Sequence, residues 1–357
     1  MAFQSPDNEK GRGAQIDPPN RFERFHAEPD FEHFCGEDEF QRSLRTTFVS
    51  DQTRSIISEN DSPDLNFRYS LNPYRGCEHG CAYCYARPTH EYLGLSAGRD
   101  FESKILIKER APELFREWLS RQKHEPTTVV FSGVTDCYQP AERNLKLTRG
   151  CLQVALEARH PVGIVTKNAL ITRDLDLLQA MAELKIVSVA ISITTLDAEL
   201  CRTMEPRTSP PDSRLEAISK LAAAGVPTLV MAAPIIPGLN DSEIPEILKR
   251  ADEAGAASAS WTLLRLPLSV RPVFLDWLHR TQPTKASRVE SLIRASRDGA
   301  LNDSKFGSRM RGGGQLAEQI QRAFRVFARK YGLDRPLPPL ETSLFRPPPE
   351  AGQLRLF

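Results

Sequence analysis

The chain reads as an α/β protein built on a parallel sheet or barrel. Two observations predict this. Short apolar runs, continuous and rich in β-branched residues, recur between residues 68 and 264, as strands buried on both faces require. Amphipathic helical stretches separate them, giving about six β-α units at a spacing of roughly 30–40 residues, which favours parallel strands over hairpins.

The elements follow in order. Residues 1 to about 40 are polar, acidic and rich in Pro and Gly, and read as a flexible arm. They belong to an acidic extension, residues 1–67, with 14 acids against 7 bases. The core then runs from 68 to 280. Its strand candidates are 68–72, 128–132, 162–166, 187–193, 228–232 and 260–264. The helix candidate 112–119 opens with Pro112, which suits a first helical turn. The candidate 212–225 starts on a capping Asp212 and ends on Gly225. Beyond 280 the pattern changes to a helical extension, 281–357. Residues 284–297 and 315–331 form two amphipathic helices, joined by a basic glycine-rich connector at 309–315. From Arg335 onward the chain is rich in proline, and no internal repeat is evident.

Composition bounds the function. The 357 residues carry a net charge of +1 and 40% hydrophobic residues, enough for a sizeable core. Charge is uneven: residues 288–335 hold 11 bases against 5 acids, a modest pointer to a phosphate-bearing partner. No apolar run approaches the roughly 18 residues of a membrane span. The amino terminus lacks the basic-then-apolar form of a secretion signal. Seven cysteines without regular pairing suit a reducing cytosol, so a cytoplasmic location is expected.

The chemistry concentrates in residues 72–85, Asn-Pro-Tyr-Arg-Gly-Cys-Glu-His-Gly-Cys-Ala-Tyr-Cys-Tyr. Three thiolates, Cys77, Cys81 and Cys84, can hold three corners of a cubane iron–sulfur cluster and leave the fourth iron open to coordination. The alternative is a zinc site with His79 as fourth ligand, although no second ligand pair of the usual spacing exists. A parallel barrel gathers its functional loops at the carboxyl ends of its strands. Five places therefore should converge: the cysteine loop, Ser132-Gly133, Lys167-Asn168, Ser192 and residues 233–238.

The cysteine motif, with aromatic Tyr83 before the third cysteine, resembles the radical S-adenosylmethionine (SAM) superfamily. Residues 132–142 (Ser-Gly-Val-Thr-Asp-Cys-Tyr-Gln-Pro-Ala-Glu), 145–149 (Leu-Lys-Leu-Thr-Arg) and 166–168 (Thr-Lys-Asn) are similar to its branch around spore photoproduct lyase, often labelled DNA-repair-photolyase-like. The likeness spans roughly residues 68–275. It implies a partial (β/α)6 barrel, a [4Fe-4S] cluster and SAM. It further implies that SAM chelates the open iron and is cleaved reductively to a 5′-deoxyadenosyl radical, with a separate reductase supplying the electron.

With those cofactors implied, residue types suggest roles. Lys167 would pair with the SAM carboxylate, with Arg207 in reach of it too. Ser192 would hydrogen-bond the amino acid moiety or the ribose. Backbone near Tyr83 and in 234–238, including Ile235, would frame the adenine, and Ser132 and Gly133 would border the same cofactor. Spore photoproduct lyase uses a cysteine outside the cluster to return a hydrogen atom, and Cys137 is the candidate for that role here. Cys35, Cys151 and Cys201 read as structural.

The tail adds a second signal. Residues 353–357 (Gln-Leu-Arg-Leu-Phe) resemble the pentapeptide by which bacterial polymerases and repair proteins bind the sliding clamp. A proline-rich spacer precedes them; Leu354, Leu356 and Phe357 would anchor in a groove and Gln353 would orient the peptide. The expected function is thus a lyase- or repair-type radical SAM enzyme acting on nucleic acid. The alternatives are an RNA- or protein-modifying enzyme with the same cofactors, or a clamp-binding scaffold whose cluster is structural.

Overall fold

The computed structural model describes residues 10–23, 45–122 and 124–348. Ten strands occur among them: β1 (Thr47–Ser50), β2 (Ile57–Glu59), β3 (Tyr69–Leu71), β4 (Tyr74–Arg75), β5 (Lys104–Ile107), β6 (Val129–Phe131), β7 (Val162–Thr166), β8 (Val187–Ser192), β9 (Thr228–Ile235) and β10 (Ser258–Leu263). The main sheet has the order β10-β9-β8-β7-β6-β3-β2. From β3 to β10 all neighbours are parallel; β2 adds an antiparallel edge. The six parallel strands are the six read from sequence, in chain order across the sheet. The sheet ends at β2 and β10 without closing, so the barrel is partial, as expected. A smaller sheet, β1-β5-β4, stands beside it.

Side-chain alternation decides where the site lies. Along a strand, neighbours point to opposite faces. Val129 and Phe131, Ile164, Val189 and Ile191, Val230 and Ala232, and Trp261 are buried on the helical side. Their alternates Val130, Val165, Met231 and Thr262 face a cavity in the concave side of the sheet. Helices Ala111–Leu119, Leu147–Ala158, Pro211–Ala223 and Ile244–Glu253 cover the convex side and supply Phe115, Leu152, Ile218 and Leu248 to the core. Gly225, at φ +73°, ends the helix Pro211–Ala223 in the left-handed conformation that glycine adopts without strain. The two expected late helices are Ala286–Ala295 and Gly314–Lys330; the second packs Ile320 and Phe324 into the main core.

One expectation changes. Within the segment read as a flexible arm, residues 10–23 are packed. Gly13 lies so close to the cysteine loop that a Cβ there would stand 1.8 Å from the Gly80 carbonyl oxygen. The amides of Gly13 and Ala14 donate to the Glu102 carboxylate at 3.0 and 2.8 Å, and Arg87, itself fully buried, pairs with the same group. The polar sequence here supplies partners for a buried carboxylate that could not stand alone. Residues 24–44, with Cys35, lie outside the described residues, as does the tail motif at 353–357.

Candidate active site

The cysteine loop leaves the sheet after β3 and has almost no ladder of its own, so its backbone must be satisfied from elsewhere. Cys77 N–H donates to Phe101 O at 2.9 Å and Ala82 N–H to Met204 O at 3.0 Å. Gln139 bridges the loop, accepting from Glu78 N–H and donating to Gly76 O. Arg87 donates twice to Cys81 O. Gly76 and Gly80 make its sharp turns at φ +79° and +65°; a Cβ at Gly80 would meet the Glu102 carboxylate at 2.7 Å. The loop is therefore fixed by side chains reaching in from several directions.

All three motif cysteines open on one cavity of about 330 Å³, and all three are free thiols. Burial pushes the pKa of Cys81 well up and that of Cys84 to about 11. Without a cation both stay protonated; a bound metal centre is what would make them thiolates. Among the described residues, no three His, Cys, Asp or Glu side chains converge closely enough for a single metal ion. Three free cysteines on one cavity are the donor set that a four-iron cluster with one open iron takes. His79 is not a spare ligand. Its Nδ1 lies 3.4 Å from Asp136 Oδ2 and its Nε2 3.2 Å from Asn168 Nδ2. Burial works against its charge, yet Asp136 holds its pKa up to about 10. The ring that a zinc site would take as its fourth ligand is thus engaged by Asp136.

Of the other sequence candidates, Tyr83, Ser132, Gly133, Lys167 and Ser192 line the same cavity. Lys167 Nζ donates to Ala233 O at 3.1 Å and Thr194 Oγ1 at 3.3 Å, lies 3.5 Å from Glu205, and sits 5.7 Å from the Tyr83 ring centroid. Burial lowers its pKa to about 8. Ser132 holds φ +73°, unusual for a side-chain-bearing residue, and its hydroxyl accepts from Cys137 N–H at 2.8 Å. Gly133 must be glycine: a Cβ would stand 2.6 Å from Ser70 Cβ.

Three candidates are placed elsewhere. Cys137, expected to face the mouth, is fully buried with the main core, its thiol beside the Ser132 hydroxyl and near Asp136 and Glu142. Arg207 does not line the cavity: its guanidinium donates to Gly11 O and Thr46 Oγ1 and pairs with Glu78 of the cysteine loop. Ile235 is buried at the end of β9, while its neighbours Ala233 and Pro234 reach the cavity.

The wall also holds residues that sequence reasoning passed over. Tyr85 donates to Gly133 O at 2.9 Å, and Leu65 and Phe67 close one side. Arg265 follows β10 and could have been found by applying the strand-end rule to the sixth strand as to the other five. Beneath the wall lies Glu205, which accepts from Tyr83 OH and Thr194 Oγ1 and pairs with the fully buried Arg214; nothing in the local sequence marks that network.

A family model described as the radical SAM superfamily matches residues 71–251. The chain belongs to that superfamily. It is a radical SAM enzyme, and its cofactors are a [4Fe-4S] cluster and SAM. The uncharacterised protein Rv2578c of Mycobacterium tuberculosis is 39% identical over 232 residues, covering 64% of this chain and 68% of the relative. The uncharacterised protein MJ0683 of Methanocaldococcus jannaschii is 31% identical over 176 residues, covering 49% and 63%. Among solved structures, spore photoproduct lyase complexed with dinucleoside spore photoproduct has a TM-score of 0.60 at 17% identity, covering 84% of this chain and 83% of that one. A double mutant of that lyase with bound AdoMet scores 0.59, also at 17% identity, covering 83% of each chain. This likeness shows the radical SAM fold. Among the described residues no helix is long and apolar enough to cross a membrane.

Proposed function

We propose that this radical SAM enzyme acts on nucleic acid, in a lyase- or repair-type reaction on a base in DNA. The observation that carries the reading is that Arg265 and Arg309 line the same cavity as the aromatic rings of Phe67 and Tyr85. Guanidinium groups suit phosphates and ring faces suit unstacked bases. The basic balance of residues 288–335 supports the same reading, as does the fold shared with a lyase whose solved structure holds a dinucleoside.

When bound, the cluster and SAM supply a 5′-deoxyadenosyl radical able to take a hydrogen atom from substrate. The chain's own residues hold and orient. Cys77, Cys81 and Cys84 ligate three irons. Lys167, fixed between Thr194, Ala233 and Glu205, meets the carboxylate end of SAM. Ser192 and the backbone at Tyr83, Ser132, Gly133 and Ala233-Pro234 border the nucleoside portion. Leu65, Val130, Val134, Val165, Met231 and Leu264 keep water from the reacting carbon. A clamp contact through residues Gln353 to Phe357, and a reductase that feeds the cluster, complete the proposal.

The test is release of 5′-deoxyadenosine by the reduced, reconstituted enzyme with ultraviolet-irradiated DNA, intact DNA, RNA or no polymer, with products scored by mass. The proposal expects irradiated DNA to raise release and to change mass. Equal release in all four, with no mass change, overturns it.

A further inference from the structure

We propose that Arg265, flanked by Arg309, forms a phosphate-binding subsite at the cavity rim that takes the phosphodiester next to the reacting base. The inference rests on the nucleic-acid reading above and deepens it.

Arg265 sits at the carboxyl end of β10 and lines the cavity. In the sheet β10 is the third strand over from β7, which carries Lys167 at its end. The two cations therefore serve different parts of the bound molecules.

What singles out Arg265 is that its donors are unspent. Its Nε is buried with no hydrogen-bond partner. One terminal nitrogen lies 3.5 Å from Met310 Sδ, a weak acceptor. Among the described residues no carboxylate stands within ion-pair distance of it. Its neighbours differ. Arg297 donates to Leu264 O and Arg309 O, and Arg311 donates to Trp261 O and stacks over the Trp261 ring at 4.5 Å. The residue is half-buried and only its Nε is fully shielded from solvent, so an anion entering the cavity would give that nitrogen the acceptor it lacks. Burial, then the charge of Arg309, lowers the Arg265 pKa against the opposing pull of Tyr85, Asp64 and Asp303.

Arg309 supplies the second cation, already aimed. Its guanidinium pairs with Asp64 and with Ser62 Oγ, and Asp64 also accepts the Gly307 N–H at 2.6 Å. Those bonds occupy Asp64 and pin the 307–310 loop over the rim, leaving Arg265 as the free fork. A planar five-donor fork matches phosphate oxygens better than a point charge would.

The experiment removes the charge from each side in turn. Full-length enzyme, loaded with cluster and SAM, is titrated with dTpdT and with UpU, each made with its phosphodiester or with a neutral methylphosphonate linkage. Wild type should bind the phosphodiester at least tenfold tighter than the methylphosphonate in whichever sugar series the site admits. In Arg265→Gln that ratio should fall to about 1. Two results overturn the subsite: equal affinities for both linkages in wild type, or an Arg265→Gln variant that weakens both equally and keeps the ratio. If no dinucleotide binds wild type, the nucleic-acid reading fails, and inorganic pyrophosphate then decides the subsite alone. A pyrophosphate-dependent rise in Tm in wild type but not in Arg265→Gln keeps it; no rise in wild type overturns it.

Discussion

Replacing Glu205 by Ala should destabilise the protein far more than its distance from the cysteines suggests. Its carboxylate is fully buried and receives Tyr83 OH, Thr194 Oγ1 at 2.6 Å and the Arg214 guanidinium, with Lys167 at 3.5 Å. Burial pushes its pKa up against the pull of Arg214. Arg214 is equally buried, and its remaining bonds go to neutral acceptors: Ser192 O, Ser209 O and Thr208 Oγ1. Truncating one member of such a pair strands the other's charge, at about 3–5 kcal/mol. With a urea dependence of about 3 kcal/mol per molar, the midpoint should fall by about 1–1.7 M. Removing both charges, in Glu205→Ala with Arg214→Met, should recover most of that loss, since apolar replacement of a buried pair is often near neutral. Urea unfolding of the cofactor-free protein measures both variants. A single-variant shift below about 0.3 M, or a double variant no better than the single, would refute the view that this ion pair carries the floor beneath Tyr83 and Lys167.

Other outcomes follow from the same structure. Gly13→Ala should force the amino-terminal segment off the cysteine loop, because its Cβ would stand 1.8 Å from Gly80 O; hydrogen exchange at the Ala14 amide, now bonded to Glu102, should quicken at least about tenfold. His160 is buried, 3.1 Å from His124, and burial, then His124, holds its pKa down to about 3. Below pH 6.5 the unfolded chain therefore binds a proton that the folded one refuses, and stability falls with pH by up to about 1.4 kcal/mol per unit. Between pH 7 and 5 the loss should reach about 2 kcal/mol, and His160→Gln should flatten that slope; equal slopes in the two proteins would contradict the assignment. Deleting residues 353–357 should abolish capture by the bacterial sliding clamp in a pull-down while leaving SAM cleavage intact; capture that survives the deletion rules the tail out.

The frame was legible because its physics is local. Buried parallel strands must be continuous, apolar and β-branched, and β3, β6, β7, β8, β9 and β10 all read so. The cysteine loop was legible because metal chemistry fixes both residue type and spacing. Side-chain direction was not. Cys137 stands in a loop at a strand end, yet it is fully buried beside Ser132, whose φ of +73° no pattern announces. Arg207 was expected within reach of the SAM carboxylate, but its guanidinium donates to Gly11 O, in a segment nearly 200 residues earlier. The packing of residues 10–23 was hidden for a related reason. Its polar residues look solvated until Glu102, buried 90 residues away, is seen to need donors.

The central claim is that three thiols of one loop hold a four-iron cluster whose fourth iron binds SAM. Electron paramagnetic resonance of the anaerobically reconstituted, reduced protein, recorded with and without SAM, tests it directly. A cluster signal that changes form when SAM is added, and that is lost in Cys77→Ala, Cys81→Ala and Cys84→Ala but kept in Cys151→Ala, is the predicted result. A signal indifferent to SAM, or a protein that retains zinc and no iron, would contradict it.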